Sequence, residues 1–370
     1  MPLKARTDVA LFESAAAEAA HMAQRAGLVY VSDAAPGYSR ERTGKRFRYL
    51  LPDGRQLKAA GELMRIAGLA IPPAYEDVWI CTNPRGHLQA TGRDARGRKQ
   101  YRYHPQWRSV RDDAKFDRMV TFAEALPRLR RRIARDLALP GLPRQKVLAV
   151  VVSIMDATRI RIGNAEYARD NKSFGLTTLL NRHVSFIRNG RAILNFRGKG
   201  GVPHEISIDD KRIAKIVRRC QELPGQQLFQ YVTDEGQRAP IDSGQVNDYL
   251  REVMGEDFTA KDFRTWGATL QATILLARTP CPAAASDRAF KSEIINVVKQ
   301  VAAALRNTPA VCRKSYINPL VFETWRSGEL QKAFSGGLRL AASRQTENRV
   351  SAFLGRCIAS QSGQPRVAGP

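Results

Sequence analysis

Apolar and polar positions change their period several times along the 370-residue chain, and the changes divide it. An Ala-rich run from Asp8 to Arg25 reads as a helix, and Leu28 to Val31 as a first strand. From there to His104 the segments are short and split by Gly and Pro: Gly44 to Leu51, polar against aromatic, before an Asp53-Gly54 turn, then Ile71 to Ile80, Gly86 to Asp94 and Gly97 to His104. A period of two bounded by turn residues predicts strands and hairpins, hence a small β-rich domain. After Trp107 helical spacing takes over in Ala114 to Glu124 and Arg128 to Leu137, closed by Pro140-Gly141-Leu142-Pro143, so a domain boundary is expected near Val110. Arg144 to Asp156 sets Val147, Val151, Ile154 and Met155 on one face and predicts a helix buried on that side.

Strands return after Leu176. Val184 to Ile187 and Ala192 to Phe196 flank Asn189-Gly190, the signal of a type I′ hairpin, and Gly198-Lys199-Gly200-Gly201 turns into His204 to Ile208. Helices are expected from Asp209, with Ile213, Ile216, Val217 and Cys220 inward, and from Ser243, with Val246, Leu250 and Val253 inward. Thr259 with Asp262 makes a capping box for another, which sets Lys261 and Arg264 on one side, a turn apart. The helix from Ser286 carries a stripe of Phe290, Ile294, Val297, Val301 and Leu305; Asn307-Thr308-Pro309 ends it and opens a helical turn reaching Tyr316. Pro319 opens one more, through Phe334. Beyond Gly336-Gly337 one weak helix is expected, and the last ten or so residues are expected to be disordered. The fold class is α+β. Its parts are an N-terminal helical extension (1–27), a β-rich domain (28–110), a larger mainly α domain with a β-hairpin (111–335) and a C-terminal tail (336–370).

Charge narrows the partner. There are 60 Lys and Arg against 35 Asp and Glu, a net charge of +25, and the basic residues run from Arg40 to Arg356 with no single terminal block. A folded surface must carry that excess, which favours a polyanion, with double-stranded DNA or RNA first. No run of 18 apolar residues, lipidation signal or basic amphipathic helix speaks for a membrane, and the start of the chain does not read as a secretory signal. The five cysteines are scattered and odd in number, without ligand spacing, which points to a reduced, cytoplasmic compartment and away from zinc or a disulfide frame. Gly44-Lys45 is a failed P-loop, since Arg46 stands where Ser or Thr should bind magnesium, so neither a nucleotide cofactor nor a metal is expected.

Three basic residues stand in distinct settings: Arg161 in Thr-Arg-Ile-Arg-Ile-Gly-Asn, Lys199 on its glycine-flanked tip, and Arg264 in Lys-Asp-Phe-Arg-Thr-Trp-Gly; Tyr316 follows in Arg-Lys-Ser-Tyr-Ile-Asn-Pro. Guanidinium groups match the charge that develops on phosphoryl oxygens, a lysine can protonate a leaving 5′ oxygen, and a phenol can take up the phosphoryl group and conserve the bond energy as an ester. Each residue alone has a plainer explanation: Arg161 as a helix cap, Lys199 as a solubilising tip, the Arg130-Arg131-Arg132 run as a solvated helix face. In Gly97 to His104, interleaved Arg, Lys, Gln and Tyr could face phosphates and base edges, or simply protect an edge strand.

Together with their flanking motifs these residues resemble the poxvirus-like and bacterial type IB DNA topoisomerases. Ile71 to Ile80, Gly86 to Asp94 and Gly97 to His104 are similar to that family's N-terminal domain; Arg161-Ile-Gly-Asn, Gly198-Lys199, Lys261-Asp-Phe-Arg264 and Ser315-Tyr316 are similar to its catalytic domain, which is related to that of tyrosine recombinases. The resemblance implies Tyr316 as nucleophile, Arg161 and Arg264 as transition-state clamp, Lys199 as general acid and Lys261 as its support. Gln100, Tyr101, Tyr103, Tyr167 and His204 are the expected DNA-contacting positions. It also implies a monomeric two-lobed clamp on duplex DNA, nucleoid-associated if the source is bacterial, that relaxes supercoils without a cofactor. Where viral and eukaryotic members have His nine residues before the tyrosine, this chain has Asn307, expected to donate a hydrogen bond without carrying charge. A tyrosine recombinase is the nearest rival, but it usually carries His where this chain has Lys261; an architectural DNA-binding protein would explain the charge and leave Tyr316 unexplained.

Overall fold

The computed structural model describes residues 20–362 apart from 21, 45, 96, 98, 256–257, 281–286 and 335–342. It divides into two units, Met1–Lys115 and Phe116–Pro370. Most of the helix expected over residues 8–25 lies outside the described residues, and residues 22–25 are helical. The strand expected at Leu28 is reduced to one bridge between Val29 and Gly86.

The smaller unit is built on an antiparallel sheet of β1 (Tyr38–Thr43), β2 (Arg46–Leu50), β3 (Glu76–Ile80), β4 (Leu88–Arg93) and β5 (Lys99–Tyr103), in the order β2-β1-β3-β4-β5. The alternating Gly44 to Leu51 stretch does form a hairpin strand, but its partner is β1, not recognised in the sequence, with Arg40 opposite Tyr49. The Asp53-Gly54 turn folds a short return: Leu57 N–H donates to Tyr49 C=O at 2.8 Å, and Leu51 N–H to Arg55 C=O at 2.8 Å. An unforeseen helix, Ala60–Gly68, buries Ile66 with Tyr38, Val78, Ile80 and Ala90.

In the larger unit the core centres on two helices that are buried on most sides, Arg144–Thr158 and Ala260–Arg278. The first buries Val147 through Val152 and not a single stripe, because every side of it meets another element; even Lys146 is buried, its Nζ donating to Leu139 C=O at 2.6 Å. The two helices expected before it are one, Pro105–Asp136, which runs through Pro127. An interior proline costs about 3 kcal/mol, but Phe122, Leu126, Leu129 and Ile133 anchor both sides of it in the same core. The division between units falls inside this helix, five residues beyond Val110. Of the triple arginine only Arg131 is exposed, and Arg130 and Arg132 are half-buried. Arg130 pairs with Asp156 and Glu347, and Arg132 with Asp136 and Glu252, so the run is not a solvated face.

β6 (Val184–Phe186), β7 (Ala192–Arg197) and β8 (Pro203–Ile208) form an antiparallel sheet in that order. The turn at Asn189-Gly190 is not type I′, because only Gly190 has positive φ, at 78°; Gly190 N–H donates to Ile187 C=O at 3.1 Å, a type I turn closed by a left-handed glycine. The helix expected from Pro319 to Phe334 is two, Leu320–Arg326 and Glu329–Phe334, parted by left-handed Gly328. The weak C-terminal helix is in fact 19 residues, Arg344–Ser362, and it buries Val350, Phe353 and Leu354 in the main core. The larger unit therefore reaches past residue 335, and residues 363–370 lie outside the described part. Among the described residues no helix is long and apolar enough to cross a membrane.

Candidate functional site

The Ala260–Arg278 helix positions both ends of the site. Thr259 and Asp262 close the expected capping box, the Asp262 carboxylate accepting from Thr259 N–H at 2.8 Å, and so fix the first turn on which Lys261 and Arg264 stand. Arg264 is 3% exposed. Its Nη1 donates to Arg159 C=O and its Nη2 to Leu305 C=O at 3.0 Å, while Nε is buried without a partner. Five residues on, fully buried Thr269 donates through Oγ1 to Tyr316 C=O at 3.1 Å and accepts from Asn318 N–H at 3.0 Å. Tyr316 itself caps the Pro309–Ser315 helix, its N–H on Cys312 C=O at 3.0 Å. One rigid helix thus grips the tyrosine's backbone and carries the arginine that faces its ring, with the Arg264 Cζ 5.1 Å from the ring centroid.

The electrostatics follow from that geometry. Burial by itself raises the Tyr316 phenol, but Arg264 by charge and hydrogen bond, and Arg161 and Lys261 by charge, outweigh it and hold the phenol below its ordinary 10.0. Arg264 lies below the usual arginine value, through burial first and then through the charge of Arg161. Two crowded guanidinium groups beside an ionisable phenol form a site that an anion would relieve. Arg161 sits in the loop after the Arg144–Thr158 helix. Its C=O accepts from Leu176 N–H at 3.0 Å, and the loop packs so tightly on Gly175 that a Cβ there would stand 2.5 Å from Gly163 N. The half-buried Asn307 accepts Thr308 N–H on Oδ1 at 3.2 Å and leaves buried Nδ2 without a partner, so the donor end of the amide is the available one.

Lys199 is exposed on the turn between β7 and β8, where Gly200 and Gly201 take φ near +75°, a conformation suited to glycine. His204 does not have the surface expected of a DNA contact: it is 6% exposed, stacked on Phe196 at 4.8 Å, and covered by Gly198, where a Cβ would lie 2.5 Å from its Nε2. Burial, and then the charges of Arg306, Arg161 and Arg264, push its imidazole down to about 4, so it is neutral. Tyr167 is half-buried on the Ala165–Asn171 helix, which Asn164 caps. In the other unit Gln100 donates to Asp94 at 3.0 Å, and Tyr101, 47% exposed on edge strand β5, stacks with Tyr103 at 6.0 Å. Sequence reading missed Arg159, Thr269 and Arg306, which act through backbone carbonyls and leave no motif; the doubled arginine around Ile160 was the one available signal.

Residues 104–327 match the family model of the eukaryotic DNA topoisomerase I catalytic core, and residues 46–94 that of the bacterial DNA topoisomerase IB N-terminal domain. DNA topoisomerase 1B of Acanthamoeba polyphaga mimivirus is 34% identical over 296 residues, covering 79% of this chain and 88% of the relative. DNA topoisomerase 1B of Vaccinia virus (strain Copenhagen) is 25% identical over 260 residues, covering 67% and 75%. Two matched domains in the right order, and a relative aligned over nearly its whole length, lead to one assignment: the chain belongs to the type IB DNA topoisomerase family.

Proposed function

We propose that this protein relaxes supercoiled duplex DNA, without ATP or metal, through a covalent bond between Tyr316 and a 3′ phosphate. The observation that carries this reading is the Tyr316 ring facing the Arg264 guanidinium at 5.1 Å, with the charges of Arg264, Arg161 and Lys261 holding its phenol below the ordinary value. The Tyr316 oxygen attacks phosphorus in line and its proton leaves to solvent; the bond from phosphorus to the 5′ oxygen breaks, and Lys199, supported by Lys261, protonates that oxygen. Arg161, the unpartnered Nε of Arg264 and the unpartnered Nδ2 of Asn307 donate to the non-bridging oxygens, where charge accumulates. Attack by the 5′ hydroxyl on the phosphotyrosyl ester reverses each step, so resealing needs no added energy, and rotation of the free strand between the two events removes supercoils. In this reading the larger unit is a catalytic domain of the tyrosine-recombinase type, acting as a monomer. Gln100, Tyr101, Tyr103 and Tyr167 touch the duplex, and His204 supports the hairpin from below.

The test is relaxation of a supercoiled plasmid in EDTA without ATP, with the adduct trapped by denaturant. Wild type is expected to relax the plasmid and Tyr316→Phe to form neither product nor adduct. Attachment to a 5′ end, or unchanged relaxation by Tyr316→Phe, would exclude the mechanism.

A further inference from the structure

β8 is an edge strand, so alternate carbonyls along it point away from β7 and need donors from elsewhere. Two of them, on Pro203 and Glu205, are taken by one side chain: Arg306 Nη1 donates to Pro203 C=O at 3.3 Å and Nη2 to Glu205 C=O at 3.2 Å. Arg306 lies just beyond the Asp287–Ala304 helix and immediately before Asn307, with its backbone at φ +47°. Left-handed backbone is unfavourable for a residue with a Cβ and persists where the surroundings fix it. A forked side chain spanning two carbonyls of one strand is such a constraint.

The residue between those carbonyls is His204. Its ring, backed by Phe196, is the surface on which Gly198 rests, and Gly198 leads directly into Lys199. Contacts therefore run without a gap from Arg306 to β8, from β8 through His204 to Gly198, and so to the lysine. On the other side Arg306 adjoins Asn307 and, through Leu305 C=O, the Nη2 of Arg264. The turn bearing Lys199 is held by its own hairpin, by Phe174 N–H on Arg197 C=O at 2.7 Å at the end of β7, and by this latch on the outer edge of β8.

We infer that Arg306 is a positioning residue: by holding the outer edge of β8 it sets the Lys199 turn at the distance from Tyr316 at which the lysine can protonate the departing 5′ oxygen. This rests on the reading of Lys199 as general acid. Arg306 has no part in holding the non-bridging oxygens, so its loss should slow the proton transfer and leave nucleophilic attack intact.

The experiment compares single-turnover cleavage of two synthetic duplexes, one with the ordinary bridging 5′ oxygen and one with sulfur in its place. A thiolate departs without a proton, so any defect confined to the general acid disappears with the sulfur duplex. Arg306→Gly is the variant of choice, because glycine takes φ +47° without strain and folding is not at risk; Arg306→Lys, with one donor group in place of a fork, is the second. Arg306→Gly is expected to cleave the oxygen duplex on the order of tenfold more slowly, a fraction of what a general acid contributes, and the sulfur duplex at the wild-type rate. Arg306→Lys should fall between, and Lys199→Ala should show a larger defect, equally rescued by sulfur. Wild-type cleavage of the oxygen duplex by Arg306→Gly overturns the inference, and so does an equal defect on both duplexes, which would mean the site as a whole had shifted. If Lys199→Ala is not rescued by sulfur, the lysine is not the acid and the latch has nothing to position. If wild type forms no adduct with either duplex, the proposed function itself fails, a result distinct from all the others.

Discussion

His204 shows how burial redefines a residue. In the sequence it is a polar residue on a strand near a basic turn, which suits a DNA contact; in the fold it is a neutral ring between Phe196 and Gly198 with three arginines around it. Its low pKa makes a pH prediction. The unfolded imidazole takes up a proton near 6.5, whereas the folded one resists until about 4, so stability is unaffected by this group above 6.5 and is lost as pH falls from there. In urea unfolding, the stability advantage of wild type over His204→Gln should shrink by about 3 kcal/mol between pH 7 and pH 4. An advantage equal at both pH values would mean that the ring is not held neutral. Tyr316, Arg161, Lys261 and Arg264 were legible because their neighbours form motifs, and the fold does gather them. Thr269 and Arg159 were not, since a side chain or carbonyl that serves a residue 47 or 105 positions away has no local pattern.

At the scale of the element, the Ala260–Arg278 helix carries the site and also makes room for it. Gly267 is helical, yet a Cβ there would lie 1.9 Å from Arg159 Nε, so the glycine is the seat of the arginine whose carbonyl anchors Arg264. Arg159 in turn has its backbone at φ +56°, at the end of its own helix. Gly267→Ala should destabilise the wild-type protein by about 1–3 kcal/mol through overpacking. In an Arg159→Ala background the same change should stabilise by about 1 kcal/mol, the helix preference of alanine over glycine. A double-mutant cycle from denaturant melts reads the reversal of sign, and additivity would refute the pairing. Element types were largely legible because periods of two and 3.6 are local; element ends were not. Pro127 lies inside a helix, Gly328 divides another, and β1 and the Ala60–Gly68 helix passed unnoticed, because whether a break or a strand forms depends on what packs against it.

For the larger unit as a whole, Arg130 ties together parts far apart in the chain. It joins the Pro105–Asp136 helix to Asp156 at 2.8 Å and to Glu347 of the Arg344–Ser362 helix at 2.6 Å. Burial lowers the guanidinium's proton affinity and the two carboxylates more than restore it, so the arginine ends above its ordinary value. Arg130→Met leaves both carboxylates partly buried and unpaired, and should cost about 2–3 kcal/mol, toward the low side for a broken buried pair because these groups keep some solvent contact. Proteolysis should then release the C-terminal helix first; uniform protection of that helix would argue against the tie.

What the sequence determined by itself was everything that depends on near neighbours or on simple totals: the switch from strand to helix period, the turn glycines, the capping box at Thr259, the excess of positive charge and the motifs around Tyr316. Tertiary structure alone decided which polar groups end up inside. It made His204 a support, drew Arg130 and Arg132 into ion pairs, set Arg159 against Gly267, gave Arg306 two carbonyls to hold, and took up the last helix into the core. The reason is physical: a buried polar group must find a partner wherever the fold brings one, and that partner is fixed by packing in space and not by distance along the chain.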